Sequence, residues 1–166
     1  DEVILIGIRD ESNPMADQWN DLVGYATKDV VELFPGTTDP GTYWTFKKIN
    51  PPHGAAHVVL GYHANVYQVG MHFQWEALIQ TGAEITIYRD DNNDFMKSTN
   101  DPIQRGYFGI NYHHGGDSPT IGQWSAGCQV IQSAKNLAKV LNVVKSTQKY
   151  KADKKARFSY LLVSKS

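Results

Sequence analysis

The chain is a succession of short apolar segments separated by residues that favour turns, and this pattern constrains its fold more than any other feature. Residues 3–8 form a continuous apolar run of the length of a buried strand. Residues 84–88 alternate polar and apolar side chains, as a strand does when one of its faces is buried. Many short strands with turns between them predict a mostly β fold, a sandwich or a barrel. The other segments of strand character cover residues 22–26, 30–34, 57–60, 66–71, 76–80, 106–112 and 157–163.

Turn-forming residues predict how some of these segments pair. Thr27-Lys28-Asp29 joins the segments on either side of it in a predicted β-hairpin, and Thr81-Gly82 does the same for its own neighbours. Further turns are expected at Pro35-Gly36 and Asp39-Pro40-Gly41, and a loop is expected at residues 13–21.

One segment has helical periodicity, and it follows the single cysteine. Ser133 is a candidate N-cap for this segment. The sequence therefore predicts one amphipathic helix after Cys128 on an otherwise β fold. The apolar residues that share one face of this helix are Leu137, Val140, Leu141 and Val144.

Length and charge limit the number of domains and the kinds of partner that the chain can have. Its 166 residues show no repeat or linker, so residues 1–166 are taken as a single domain. The 16 Lys and Arg residues and the 17 Asp and Glu residues nearly cancel, leaving a formal net charge of -1. Such a balance gives no long-range attraction to nucleic acid or to an anionic membrane, and no apolar run could span a bilayer. Neither partner is expected, and the oligomeric state is left open.

Cys128 is the only cysteine, so no intramolecular disulfide can form. A lone cysteine is either a small buried apolar residue or a nucleophile. Two neighbouring histidines, His113 and His114, favour the nucleophile. A thiol attacks a carbonyl well only as a thiolate, and an imidazole can take its proton and later protonate the leaving amine. We therefore expect a cysteine–histidine pair in the form of thiolate and imidazolium.

His113 is favoured as the base because it directly follows a predicted strand, and His114 is the alternative. The alternative for both is that they are surface histidines in an exposed loop, with no catalytic role. Gly127 lets the backbone turn tightly ahead of the thiol. The backbone N–H groups of Gly127 and Cys128 are expected to face a developing oxyanion.

These residues resemble the L,D-transpeptidase catalytic domain. That family carries a histidine and, after a loop, Ser/Thr-His-Gly-Cys; here Ser125, Gly127 and Cys128 match the second element, and residues 110–113 look like the histidine segment. The resemblance implies a β-rich sandwich or barrel and a cysteine that is acylated by a peptidoglycan stem peptide. It also implies a histidine base held by a backbone carbonyl. The balanced charge and the absence of a metal motif suit a small zwitterionic peptide substrate without a cofactor.

The chain departs from the family pattern at three points. Ala126 stands where the family usually has a second histidine, so any role of that imidazole is absent or supplied elsewhere. Gln129-Val130 replaces the usual apolar residue followed by Arg or Asn, and the loop before Cys128 is a few residues short. The resemblance therefore defines the chemistry more closely than the reaction outcome, cross-linking or hydrolysis.

Several side chains near the motif are candidates for binding the substrate. Trp124 is placed at the wall of the cleft, and Ser125 is either a substrate-contacting hydroxyl or a turn former. The remaining substrate-binding candidates are Gln129, Tyr112 and His72.

Metal sites are the competing interpretation of the polar residues. The six histidines include His53 and His57, but no His-Glu-x-x-His motif or paired cysteine occurs, so no metal is assigned. Residues 90–94 have oxygen ligands at alternate positions, as a calcium loop does, but Phe95 stands where the loop requires glycine. A hairpin turn with Asx hydrogen bonds is favoured there.

Two functional hypotheses follow. The first is a cysteine peptidase or transpeptidase acting on peptidoglycan stem peptides, and the second is a non-catalytic wall-binding or virion module that keeps the fold. Both place the protein in the cell wall, periplasm or extracellular space. Asp1-Glu2 shows no signal peptide, so a signal was removed or the protein leaves its cell by another route, such as phage lysis.

Overall fold

The computed structural model describes residues 2–12, 17–47, 54–95, 97 and 100–165, so residues 13–16 of the predicted loop and His53 lie outside the described residues. The fold is mostly β, as predicted. Its strands are β1 (Ile4–Arg9), β2 (Asp21–Ala26), β3 (Val31–Thr37), β4 (Ala55–Val58), β5 (Gly61–His72), β6 (Trp75–Gln80), β7 (Ile85–Asp90), β8 (Ile103–Gly106), β9 (Tyr112–His114), β10 (Gln129–Ile131) and β11 (Phe158–Ser164). Its helices are α1 (Thr42–Phe46), α2 (Ala134–Ser146) and α3 (Gln148–Ala152).

Eight strands close into a barrel in the order β1-β11-β5-β6-β9-β10-β3-β2. Neighbouring strands are antiparallel, except for the parallel pairs of β1 with β11 and of β9 with β10. Three tyrosines with no exposed surface fill the interior, Tyr67, Tyr112 and Tyr160. Their ring centroids are 5.9 to 6.3 Å apart in edge-on contacts. Of the two predicted architectures, the barrel is the one observed.

The remaining strands form a small sheet in the order β4-β7-β8. In β7 the buried residues Ile85 and Ile87 alternate with half-buried ones, so the half-buried strand predicted there is confirmed. Helix α2 packs against β6, β9 and β10, and it buries the four apolar residues that the periodicity singled out. Ser133 is its N-cap residue, although its side chain makes no capping hydrogen bond. No helix in the described parts of the chain is long and apolar enough to cross a membrane.

The predicted β2–β3 hairpin is confirmed, but the predicted pairing of β6 with β7 is wrong. Strand β6 belongs to the barrel, whereas β7 belongs to the small sheet. The side chain of Gln80 explains the difference, because its Oε1 accepts hydrogen bonds of 3.0 Å from the N–H groups of Phe108 and Ile110. The segment between β8 and β9 therefore lies against the end of β6. These same bonds interrupt the strand predicted at residues 106–112.

Two further expectations are corrected. Pro35-Gly36 lies inside β3 and not in a turn; the carbonyl of Pro35 accepts a hydrogen bond of 3.0 Å from the N–H of Gln132. The short helices α1 and α3 also accompany the one helix that the sequence predicted. Both short helices have five residues, too few for a periodic pattern to appear in the sequence.

A buried carboxylate joins the barrel to the small sheet. Asp39 Oδ1 lies 3.1 Å from Nε of Arg9 on β1 and accepts a hydrogen bond of 2.8 Å from Nδ1 of His57 on β4. Arg9 also donates hydrogen bonds of 2.8 Å to the carbonyls of Thr38 and Val58. Burial alone would raise the pKa of Asp39, but the charge of Arg9 and the His57 hydrogen bond outweigh it and hold the pKa well below its usual value. The carboxylate is therefore ionised, and it holds Arg9 and His57 in place.

Asp39→Asn is expected to lower the free energy of unfolding by about 3–5 kcal/mol, because the neutral amide leaves the buried Arg9 charge uncompensated. Urea denaturation followed by circular dichroism measures this change. Asp29→Asn is the matched control, since Asp29 is exposed, and it should stay within about 0.5 kcal/mol of the unsubstituted protein. Equal effects of the two substitutions would contradict the structural role of Asp39.

Candidate active site

Ser125 organises the loop that presents Cys128. Its Oγ accepts a hydrogen bond of 3.1 Å from the N–H of Gly127 and donates one of 2.8 Å to the carbonyl of Cys128. Its own carbonyl accepts a hydrogen bond of 2.8 Å from the N–H of Gly41. Because Ser125 is buried, its hydroxyl is a turn former and does not face a substrate.

Gly127 is required by the geometry of the same loop. Its φ is +137°, a backbone conformation that side chains rarely adopt, and a Cβ there would lie 2.6 Å from the carbonyl oxygen of Ala56 on β4. The tight turn expected from the sequence is present. The oxyanion role expected for the Gly127 N–H is not supported, because Ser125 Oγ already accepts its hydrogen bond.

The parallel pairing of β9 with β10 brings the histidine and cysteine segments together. His113 is opposite Val130, and the N–H of Gln129 donates a hydrogen bond of 2.9 Å to the carbonyl of Asn111. Cys128, one residue before β10, therefore continues the register opposite Asn111. The segment that carries Cys128 therefore lies beside the strand that carries His113, although the hydrogen bond of the thiol itself is to Gly109.

Each of the two histidines has one ring nitrogen committed to a backbone carbonyl. Nδ1 of His113 donates to the carbonyl of His114 (2.7 Å), and Nδ1 of His114 donates to that of Gly115 (2.6 Å). These bonds leave Nε2 as the nitrogen that can accept a proton in either residue. The carbonyl contact that the resemblance implied is therefore present at both positions and does not select between them.

Contacts with β5 single out His113. Its ring stacks on His72, with centroids 4.2 Å apart and planes at 11°. Asn111 Nδ2 donates a hydrogen bond of 3.0 Å to His72 Nδ1, and its Oδ1 accepts one from the N–H of Gln80. Burial, together with the neighbouring His72 and His114, lowers the pKa of His113 to about 4, although the hydrogen bond to the His114 carbonyl raises it. His113 is therefore neutral at pH 7, and its ring is held in place by the stacking on His72 and by the hydrogen bond to the His114 carbonyl.

The thiol of Cys128 is half-buried and protonated. Its Sγ donates to the carbonyl of Gly109 at 3.5 Å, so its hydrogen bond is not to a histidine. Burial raises the pKa of Cys128 to about 11, and the nearby N–H of Asn111 offsets only part of that rise. With His113 also neutral, the expected thiolate–imidazolium pair is not the resting state of this structure.

A cavity of about 300 Å³ lies beside the two histidines. It contains two of the predicted residues, His72 and Trp124, together with His113 and His114, whereas Cys128 is not part of its lining. The other three residues that line the cavity were not among the site residues predicted from the sequence. The only signal for Phe73 was its position in the turn between two predicted strands. The missed lining residues are Phe73, Trp75 and Gln123.

Tyr112 and Gln129 are fully buried inside the barrel, so neither contacts a substrate in this structure. The hydroxyl of Tyr112 donates a hydrogen bond of 2.8 Å to the carbonyl of Gly24. Gln129 Nε2 donates one of 3.1 Å to the carbonyl of Gly127, and its Oε1 accepts one from the hydroxyl of Tyr160. The assignment of both side chains to substrate binding is corrected, and Gln129 instead braces the loop that carries Cys128.

The polar residues considered for metals have protein partners. Both carboxylate oxygens of Asp90 accept hydrogen bonds of 3.0 Å from backbone N–H groups, those of Asp94 and Phe95, which is the Asx arrangement favoured by the sequence. His57 is engaged by Asp39. Within the described ranges, no three His, Cys, Asp or Glu side chains are grouped as a metal site would require.

No family model, curated protein or solved structure matches this chain.

Gly127→Ala is expected to destabilise the protein by about 1–3 kcal/mol more than Gly61→Ala does. Both glycines have nearly the same φ, +137° and +131°, but a Cβ at Gly61 would meet no atom within 4 Å, so the pair isolates the clash with Ala56. Urea denaturation of the two variants measures the difference. Equal losses of stability would show that the loop does not lie tightly against β4.

The alkylation rate of Cys128 is expected to rise with pH up to about 11, because burial disfavours the thiolate. Iodoacetamide labelling followed by mass spectrometry measures it at the only cysteine. In urea the thiol returns to a pKa of about 8.5, so labelling at pH 8 should be faster by about 100-fold or more. A labelling rate that levels off below pH 8 in the folded protein would contradict this prediction. It would instead support the thiolate–imidazolium pair expected from the sequence.

Proposed function

We propose that this protein is a cysteine-dependent peptidoglycan enzyme that acts on stem peptides, as an L,D-transpeptidase or as an L,D-carboxypeptidase or endopeptidase. The observation that supports the proposal is the parallel pairing of β9 with β10, which brings the segment before β10, with Cys128, beside the segment of His113. The fold is mostly β with a closed barrel, which is compatible with the L,D-transpeptidase-like domain that the motif suggests.

The chemistry begins from a neutral thiol and a neutral imidazole. As Cys128 Sγ attacks the amide carbon, its proton passes to Nε2 of His113, and the carbonyl oxygen becomes an oxyanion. The N–H of Cys128 is the donor proposed for that oxyanion, since the N–H of Gly127 is already bonded to Ser125. His113 then protonates the leaving amine, and a thioester remains on Cys128.

The thioester is resolved by a nucleophile that returns the enzyme to its starting state. An amine of a second stem peptide gives a new amide bond and a cross-link, whereas water gives a carboxylate and net hydrolysis. In either case His113 takes a proton from the nucleophile and returns one to the departing thiolate. The proposed substrate locates the protein in the cell wall, the periplasm or the extracellular space.

A second candidate function is a non-catalytic wall-binding or virion module. Two observations favour it: the raised pKa of Cys128, and a cavity that includes both histidines but not the thiol. Under this alternative the cavity is the functional feature, and Cys128 is a small residue that fills the end of the barrel.

Incubation of the protein with purified muropeptides is expected to change their mass, and Cys128→Ala is expected to abolish the change. Loss of a residue or a cut stem identifies a hydrolase, and a joined or exchanged amine identifies a transpeptidase. His113→Gln should lower the rate by about 10²- to 10⁴-fold because it removes the general base. His114→Gln is the matched control and should have the smaller effect.

The outcome that favours the binding module is equally specific. If mass spectrometry detects no product, and the protein and its Cys128→Ala variant behave identically, the proposed enzyme is wrong. If His114→Gln abolishes turnover while His113→Gln does not, the base has been assigned to the wrong histidine.

A further inference from the structure

The cavity beside His113 has no formally charged side chain in its described lining. Burial lowers the pKa of His72 and that of His113, so both of these stacked imidazoles are neutral at pH 7. Gln123 adds a neutral amide. Apart from His114, the walls therefore offer aromatic faces and uncharged hydrogen-bonding groups, and the described lining holds no Asp, Glu, Lys or Arg side chain to pair with an ionised ligand.

Two indole rings form the apolar part of these walls. The ring centroid of Trp75 is 5.1 Å from that of His114, and the ring centroid of Trp124 is 6.1 Å from it. Trp124 is held against the backbone of Gly116, where an added Cβ would lie 2.5 Å from the indole ring. Trp75 is 41% exposed, so part of its ring is accessible to a ligand.

Phe73 extends this aromatic surface at the turn between β5 and β6. It is 85% exposed, and its φ is +53°, a conformation that is a genuine outlier for a bulky residue. Its ring lies 4.6 Å from that of His72, centroid to centroid. Its positive φ belongs to the two-residue hairpin turn that joins β5 to β6, since His72 pairs with Trp75. This turn leaves the Phe73 ring exposed at the edge of the cavity, where a ligand can contact it.

We propose that this cavity binds one N-acetylated pyranose ring of a glycan strand, with the apolar face of the sugar against Trp75 and Phe73. Its hydroxyl and acetamido groups then hydrogen-bond to the imidazoles and to Gln123. The volume of about 300 Å³ is at the lower end of the usual range for ligand sites, which suits a single ring.

Charge distinguishes the sugar from the stem peptide as the occupant. Stem peptides carry carboxylate and ammonium groups, and burying these without a partner is costly. An N-acetylated sugar ring is neutral and has both an apolar face and polar edges. The choice of this sugar rests on the proposed function, and it means that the enzyme recognises the glycan beside the peptide bond on which Cys128 acts.

The test uses the Cys128→Ala variant, which cannot form a thioester, and N,N′-diacetylchitobiose as the neutral probe. Isothermal titration calorimetry should detect binding of this disaccharide, and Trp75→Ala and Phe73→Ala should each weaken it by about threefold to tenfold. Tyr62→Ala is the matched control, because Tyr62 is a 55% exposed aromatic residue on the same strand, β5, ten residues before His72. It should leave the affinity unchanged.

Several results would overturn the inference: no binding of the disaccharide, binding that Trp75→Ala and Phe73→Ala leave intact, or competition at the cavity by a sugar-free stem tetrapeptide alone. The exposure of Phe73 makes its truncation safe for folding even if Trp75→Ala proves unstable. Saccharide binding without turnover of muropeptides would support the inference while the proposed enzyme fails. Turnover of muropeptides without saccharide binding would support the proposed enzyme and overturn this inference.

Discussion

The ionised carboxylate of Asp39 is the contact on which the rest of this structure depends. It is buried between Arg9 of the barrel and His57 of the small sheet; it compensates the charge of Arg9 and accepts a hydrogen bond from His57. A lone buried charge is strongly unfavourable, so the two sheets have to meet at this point for the fold to form. A second buried carboxyl group, that of Asp21, shows how unfavourable another negative charge is here. Burial and the charge of Asp39 raise the pKa of Asp21.

The position of the thiol follows from that junction through a short series of backbone contacts. His57 lies on β4, and the N–H of the preceding residue, Ala56, donates a hydrogen bond of 3.1 Å to the carbonyl of Ala126. The loop that begins at Ser125 is therefore supported by the small sheet, while β10, directly after Cys128, belongs to the barrel. The nucleophile of the proposed reaction thus lies where the two sheets meet.

What could be predicted from the sequence is what depends on local pattern. The alternation around Ile85 and the helical periodicity from Leu137 to Val144 are confirmed because both reflect which face of an element is buried. The separation of β6 from β7 was not predictable, because it depends on the Gln80 side chain binding a segment almost thirty residues later. The residues around Cys128 and His113 could be singled out as candidates because they form a local motif, whereas the cavity depends on a hairpin tip far away in the chain. Tyr112 and Gln129 were misassigned because a strand's phase decides which side chains face inward, and sequence proximity to the motif carries no information on phase.

Burial sets the energetics of the candidate catalytic pair, and it acts on the two groups in opposite directions. It raises the pKa of Cys128 to about 11 and lowers that of His113 to about 4. Moving the proton between them before a substrate arrives therefore costs roughly 10 kcal/mol, at about 1.4 kcal/mol for each pKa unit. Attraction between the resulting charges returns only about 4 kcal/mol, even at 4 Å separation. The neutral pair is thus the stable one, and the free energy of the ion pair has to come from the new sulfur–carbon bond and from the donor that receives the oxyanion. In the proposed reaction, the thiol therefore stays unreactive towards solvent-borne electrophiles until a carbonyl is held against it.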